Sequence, residues 1–336
     1  MELSNIYQPI QKDLTKVEDM IHSLCKADLD WLNDDMADGL RKGGRVDELL
    51  AHILSAGGKR LRPSLVLLSA SFYDNNLEHI IPMAAAIEIL HIATLVHDDA
   101  IDNSALRHGR PTVNSLWGDN TAILMGDYLL AKAGELAVST GSRQVVKRLY
   151  QTLMTITSGE LSQAFSAFHI GKSRAYYMQR ISSKTASLIS LATECGAILS
   201  HAPAKAVGAL KDYGFNIGIA FQIIDDILDY TGTTEEMGKP VGSDLNEGTI
   251  TLPVLLLLEK NPHEMAVIDI IRNQNRKENT EKVKEIIRNS PDIILKCYQM
   301  AADYREMACE RLMTLPDTPS RDALVELACF IVERRR

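Results

Sequence analysis

Six aspartates, set out twice in one pattern, constrain this chain more than any other feature. Residues 97–102 read HDDAID, and residues 221–230 read FQIIDDILDY. Each copy has two adjacent aspartates, two spacers and a third. Carboxylates this close repel one another, and leaving water for apolar surroundings is costly unless a cation compensates. Residues i and i+4 share a helix face, which pairs Asp98 with Asp102 and Asp225 with Asp229. Asp99 and Asp226 lie beside those pairs. Hard carboxylate oxygens on two helices suit Mg²⁺, which binds one or two carboxylates, waters and substrate phosphates. Neither copy has the glycine and later glutamate of a calcium loop. His97 has no second His or Cys nearby and is a weak zinc ligand. One such cluster reads as a solvated acidic face. Two, each wrapped in apolar helix, read as a cation seat.

The rest of the chain reads as helix. Of its 336 residues, 46% are hydrophobic and 24% charged, a globular composition rich in Leu, Ala and Ile. Apolar residues recur at helical spacing over Ile6–Leu32, Leu61–Phe72, Pro82–Asp102, Thr121–Val138, Gln144–Ala167, Arg174–His201 and Pro203–Tyr230. Further helices are predicted over Thr251–Leu258, Glu281–Ile287, Pro291–Leu312 and Ser320–Glu333, with loops at Pro111–Gly118 and Thr231–Gly248. Sustained strand alternation is missing. The fold class is therefore all-α: a single large helical bundle over residues 1–336.

Charge and cysteine usage exclude other classes. The net charge of −8 and the lack of a long basic block argue against nucleic acid. The closing Glu333-Arg334-Arg335-Arg336 reads as a solvated tail. Five scattered cysteines form neither a zinc motif nor a disulfide frame, and indicate a reducing compartment. The N-terminus lacks the pattern of a signal peptide. Ile80–Val96 contains Glu88 and His91, and is too short and polar to span a bilayer. A soluble, cytoplasmic protein is expected.

Basic residues supply the counterpart for phosphate. In Gly57-Gly58-Lys59-Arg60-Leu61-Arg62-Pro63, two glycines precede three cations. Lys59 and Arg62 are neighbours if a helix begins there, and its N-terminus would favour an anion. His91 lies two turns before Asp98 on the same face.

With these motifs in their order, the sequence resembles the trans-isoprenyl diphosphate synthases. The motifs are GGKRLRP, LVHDDAIDNSALRHGRPTVN, GDYLL, KTASL, FQIIDDILDYTG and GKPVGSDLNEGTITLP, and the resemblance covers most of the chain. It implies a helical bundle around a deep central cavity, usually a homodimer. It also implies Mg²⁺-dependent head-to-tail condensation of isopentenyl diphosphate with an allylic diphosphate, with three ions per site held by Asp98, Asp99, Asp102, Asp225, Asp226 and Asp229. By the same resemblance Gly58, Lys59, Arg62, His91 and His108 bind isopentenyl diphosphate. Arg107, Lys184, Thr185, Gln222 and Lys239 bind the allylic diphosphate, Lys184 with a catalytic role. Two departures stand out: His108 replaces an arginine, and Thr249 replaces a lysine.

In such enzymes the residues before the first aspartate cluster line the path of the growing chain. Ala93 and Thr94 stand there, and Gly134 matches a position where relatives often carry a bulky residue. Ala93 leaves the path open, and both it and Gly134 point to a medium or long product, heptaprenyl to nonaprenyl, for a quinone side chain. A short-chain farnesyl or geranylgeranyl synthase is the alternative. A terpene cyclase usually lacks the second aspartate cluster. An inactive subunit of a heteromeric synthase tends to lose aspartates, whereas all six are present here, although a small accessory partner remains compatible. Membrane contact is at most peripheral.

Overall fold

A computed structural model describes residues 2–27, 46–54, 58–107, 109–166, 173–232, 241–272 and 274–334. The chain begins with α1 (Leu3–Ile6), a 3-10 turn (Gln8–Ile10) and α2 (Gln11–Ala27), then α3 (Val46–Leu54), α4 (Leu61–Ala70) and α5 (Leu77–Ile101). A two-stranded antiparallel hairpin follows, β1 (Leu106–Arg107) with β2 (Arg110–Pro111), in the register Leu106 to Pro111. Next come α6 (Val113–Trp117), α7 (Asp119–Ser139), α8 (Arg143–Ser166) and α9 (Arg174–Ile181). A π turn at Ser182–Ala186 leads into α10 (Ser187–Leu199) and α11 (Ala204–Thr231). The chain closes with α12 (Ser243–Asn246), α13 (Leu252–Lys260), α14 (Met265–Ile271), α15 (Arg276–Arg288), α16 (Pro291–Leu312) and α17 (Pro319–Glu333).

Two helices organise the core. α5 is buried almost all round from Ile80 to Leu90, so it must run through the centre. It is long and apolar enough to cross a membrane, but packs against α4, α7 and α2 and ends in acids. α11 is the second, covered by α16, α10 and α17. The α4–α10 contact needs a glycine. A Cβ on Gly196 would fall 2.3 Å from the Val66 carbonyl oxygen, a backbone atom that cannot swing aside. Gly196→Ala is therefore expected to push the two helices apart at a cost of about 3 kcal/mol, the upper range for overpacking. Chemical denaturation would measure it, and an unchanged midpoint would mean the contact is looser than it looks.

The structure shifts several predicted boundaries. α5 starts at Leu77, not Pro82, because the Asn76 side chain accepts from the Glu78 N–H at 3.1 Å and caps it earlier. Pro82 then lies inside the helix. The predicted N-terminal helix is broken at Tyr7–Ile10, where Pro9 sits in a 3-10 turn. The stretch predicted as one helix from Arg174 to His201 carries the π turn, a local insertion with no hydrophobic signature of its own. α3, α14 and the hairpin are additions to the prediction, and α6 lies in the predicted 111–118 loop.

Candidate active site: two acid-tipped helices

Both aspartate clusters sit at the carboxyl ends of central helices. α5 ends at Ile101, α11 at Thr231, and neither has a basic residue in its last turn. The carbonyl end of a helix carries partial negative charge, so carboxylates are least favoured there. Compensation comes from other segments. Lys184 Nζ lies 3.2 Å from Asp98 Oδ2 and 2.9 Å from Glu160 Oε1. Desolvation alone would lower the Lys184 pKa, but Asp98 and Glu160 together raise it, so the lysine stays charged. Arg107 Nε donates to both oxygens of Asp99 at 2.9 Å, with a guanidinium nitrogen 2.8 Å from Oδ1. Arg334 donates to Asp225 Oδ1. Asp102 is pushed above the ordinary carboxylate range, chiefly by desolvation, with Lys184 opposing and Asp98 adding to it.

The π turn joins the two clusters. It presents Lys184 to Asp98, and the next residue, Thr185, donates from Oγ1 to Gln222 Oε1 at 2.6 Å. Gln222 Nε2 in turn donates to Asp226 Oδ1 at 2.9 Å, while the Tyr177 hydroxyl donates to Asp226 Oδ2 at 2.8 Å. Both oxygens of Asp226 are thus drawn into this network. Burial pushes its pKa up to about 6, with Arg180 opposing the shift and Asp244 adding to it. A carboxyl raised in the folded state binds its proton more tightly there than in the unfolded chain. Wild-type stability should therefore fall as pH rises from about 4 to about 6, by roughly 3 kcal/mol for two units. Asp226→Asn lacks this dependence. Thermal melts in chelator should show the variant gaining on the wild type by about that amount between pH 4 and pH 7. Parallel curves would mean that Asp226 is well solvated.

The residues matched to isopentenyl diphosphate are placed less uniformly. Lys59 precedes α4 instead of lying in its first turn. Its pKa is lowered by burial and by Arg334, with Asp225 opposing. Arg62 Nε is buried with no hydrogen-bond partner among the described residues, and burial also lowers its pKa. His91 is half-buried, and its carbonyl accepts from Thr94 Oγ1 at 2.7 Å. Gly58 is exposed, and a Cβ there would meet only Arg60, at 3.9 Å. The left-handed backbone falls instead on Arg60 (φ 48°), held by its 3.0 Å bond to the buried Glu88. Arg60 therefore ties α4 to α5. His97 also turns from the two aspartate clusters: its Nε2 lies 3.1 Å from the Ile123 carbonyl and 3.5 Å from Asp127 on α7. That approach depends on Gly126, whose Cβ would come within 2.1 Å of the ring. His108 and Lys239 lie outside the described residues.

Ala93 has no accessible surface. Gly134 is buried, and a Cβ there would lie 2.6 Å from the Tyr150 hydroxyl, so that ring already fills the space. A cavity of about 540 Å³ opens between α8 and α9, lined by Ser158, Gly159, Gln179, Arg180 and Ser183 among others. Ala93 is not on its wall. Sequence reasoning missed Glu160, Tyr177 and Arg180, which carry no motif. It also misplaced Arg334, whose side chain is 9% exposed where a solvated tail was expected. A terminal arginine looks the same in sequence whether it is buried or free.

The donor set fits Mg²⁺. The oxygens are hard, and protein cations already cover Asp98, Asp99 and Asp225, where a metal's charge would act. Among the described residues no three acids, histidines or cysteines converge into a metal-holding group. A metal here would complete its shell with waters and substrate oxygens, the usual habit of Mg²⁺.

Central helices that end in acids, at the end where acids are least stable, place this bundle in the class of helical isoprenoid synthases. The polyprenyl synthetase family model matches residues 44–290, and the chain belongs to that family of prenyltransferases, which are in general Mg²⁺-dependent. It is 37% identical over 317 residues to heptaprenyl diphosphate synthase component 2 of Bacillus subtilis, covering 94% of this chain and 90% of that one. The crystal structure of heptaprenyl diphosphate synthase from Staphylococcus aureus superposes with a TM-score of 0.87 at 36% identity, covering 97% of this chain and 99% of that one. A Caulobacter crescentus polyprenyl synthase complexed with calcium and isoprenyl diphosphate gives 0.90 at 34% identity, covering 100% and 98%.

Proposed function

We propose that this chain, acting as one domain, is an all-trans-polyprenyl diphosphate synthase that extends an allylic diphosphate with isopentenyl diphosphate to a heptaprenyl-to-nonaprenyl product. The observation that carries the mechanism is the π turn, whose adjacent Lys184 and Thr185 join the two acid clusters. Asp98, Asp99, Asp102, Asp225, Asp226 and Asp229 would hold Mg²⁺, three ions per site, with Asp226 also ordering Gln222. Bound Mg²⁺ supplies Lewis-acid neutralisation of the departing diphosphate. Lys184, Thr185, Gln222 and Arg107 orient the allylic diphosphate, and Lys239 joins them by family likeness. Lys59, Arg62 and His91 hold isopentenyl diphosphate, with His108 in the place of the usual arginine. Excluding water protects the allylic cation until the double bond attacks it. The proton then lost goes to the released diphosphate, so no strong protein base is required.

The product length rests on the small residue Ala93 and on the heptaprenyl relatives. A homodimer is supported by the apolar surface that Ile123 and Leu124 on α7 and Met154 and Leu161 on α8 leave exposed. We place the enzyme in the cytoplasm as a soluble protein. A second reading has a specific basis: the Bacillus subtilis relative is named as one component of its synthase, and on this reading the chain is the catalytic half of a pair. One experiment separates the readings. The purified chain is incubated with labelled isopentenyl diphosphate, farnesyl diphosphate and Mg²⁺, and products are identified by mass spectrometry. Long products from the chain alone support the first reading. Elongation only after a small partner subunit is added supports the second. Geranylgeranyl diphosphate as the end product would overturn the chain-length assignment.

A further inference from the structure

Arg334 follows α17 directly, in extended backbone. Its Nη2 donates to Asp225 Oδ1 and, at 3.4 Å, to the Phe221 carbonyl, while the guanidinium lies 4.0 Å from the centre of the Phe221 ring. The placement is built into the fold. The buried Tyr213 hydroxyl donates to the Leu324 carbonyl at 2.7 Å, about three turns before Asp225 on α11 and before Arg334 on α17. α17 is thereby pinned alongside α11, and its end meets the aspartates.

The charge around this contact is uneven. Lys59, whose Nζ lies 5.8 Å from the centre of the Phe330 ring on α17, shares the field of Asp225 with Arg334 and Arg62. Two guanidinium donors there, Arg62 Nε and Arg334 Nε, are buried without a hydrogen-bond partner among the described residues. Buried donors left unmade are costly, and cations confined together favour an anion between them. The arrangement is that of a site with positive charge in reserve, held by a carboxylate that has another use.

We propose that Arg334 competes with the metal ion for Asp225. In the metal-free enzyme it is the counter-ion of that carboxylate. Metal binding displaces it, and the freed guanidinium turns to the diphosphate held by Lys59 and Arg62. The metal seat and the isopentenyl diphosphate site are then coupled through one side chain, and each occupant favours the other. This rests on the reading of Asp225 as a metal ligand.

The two ideas can fail separately. Binding of Mn²⁺ alone, without diphosphate, is measured from the electron paramagnetic resonance signal of the free ion, for wild type, Arg334→Gln, Arg334→Lys and Asp225→Asn. Arg334→Gln should bind Mn²⁺ about tenfold more tightly, because the competing cation is gone. Arg334→Lys should stay near wild type. In turnover assays Arg334→Gln should raise the KM for isopentenyl diphosphate about tenfold and leave that for the allylic primer unchanged. A side chain that merely supported the fold would not tighten metal binding when removed. Unchanged or weaker Mn²⁺ binding in Arg334→Gln, with Asp225→Asn weakened, overturns the proposal alone. Wild-type Mn²⁺ affinity in Asp225→Asn overturns the metal assignment beneath it.

Discussion

Asp98→Ala should lose about three orders of magnitude in turnover while folding at least as well as the wild type. The two halves of this expectation have separate causes. Turnover is expected to fall because Asp98 is the first-cluster acid that meets Lys184, and on the proposed function its loss removes one oxygen seat for the metal. Stability holds because Asp98 lies in the last turn of α5, where a carboxylate opposes the helix dipole by about 0.3–1 kcal/mol. Lys184 is not stranded, since Glu160 remains 2.9 Å away. A chelated sample should melt at or slightly above the wild-type temperature. Wild-type turnover in the purified variant would end the two-cluster mechanism. A loss of several kcal/mol in stability would instead make Asp98 a structural residue.

Ala93→Tyr should shorten the product to farnesyl or geranylgeranyl length without abolishing the early condensations. Ala93 stands five residues before Asp98, about 7.5 Å back along the helix axis. It has no accessible surface, so a ring must displace its neighbours, and on the proposed function it would do so along the path of the growing tail. Close-packed interiors yield little, and overpacking costs about 1–3 kcal/mol. The obstruction lies away from the reacting carbons, so the first additions survive and later ones fail. Chromatography of dephosphorylated products at equal enzyme concentration would show the shift. An unshortened distribution would mean that the tail passes elsewhere, and would remove the main residue-level support for a long product.

Much of this was readable in the chain because it is written in local rules. Helical spacing predicted α5, α7, α11 and α16, since a buried helix repeats apolar residues at its own pitch. The two aspartate clusters were legible for the same reason: an i, i+4 pair shares a face wherever the helix lies. The partner of each acid was not. Lys184 and Thr185 are divided between the two clusters by a π turn, and the extra residue of such a turn leaves no trace in hydrophobic periodicity. Glu160 and Tyr177 meet the site through packing between helices distant in sequence, which no spacing within one helix encodes.

Sequence by itself determined the helical class, the family and the six acids, because local pitch and residue chemistry suffice for those. Tertiary structure alone decided where each charge is spent. It turned Arg60 away to Glu88, set His97 against α7 and brought Arg334 from the end of the chain onto Asp225. The reason is physical. Helix formation is governed by neighbours a few residues apart, whereas the pairing of a buried charge depends on which helices the core brings side by side.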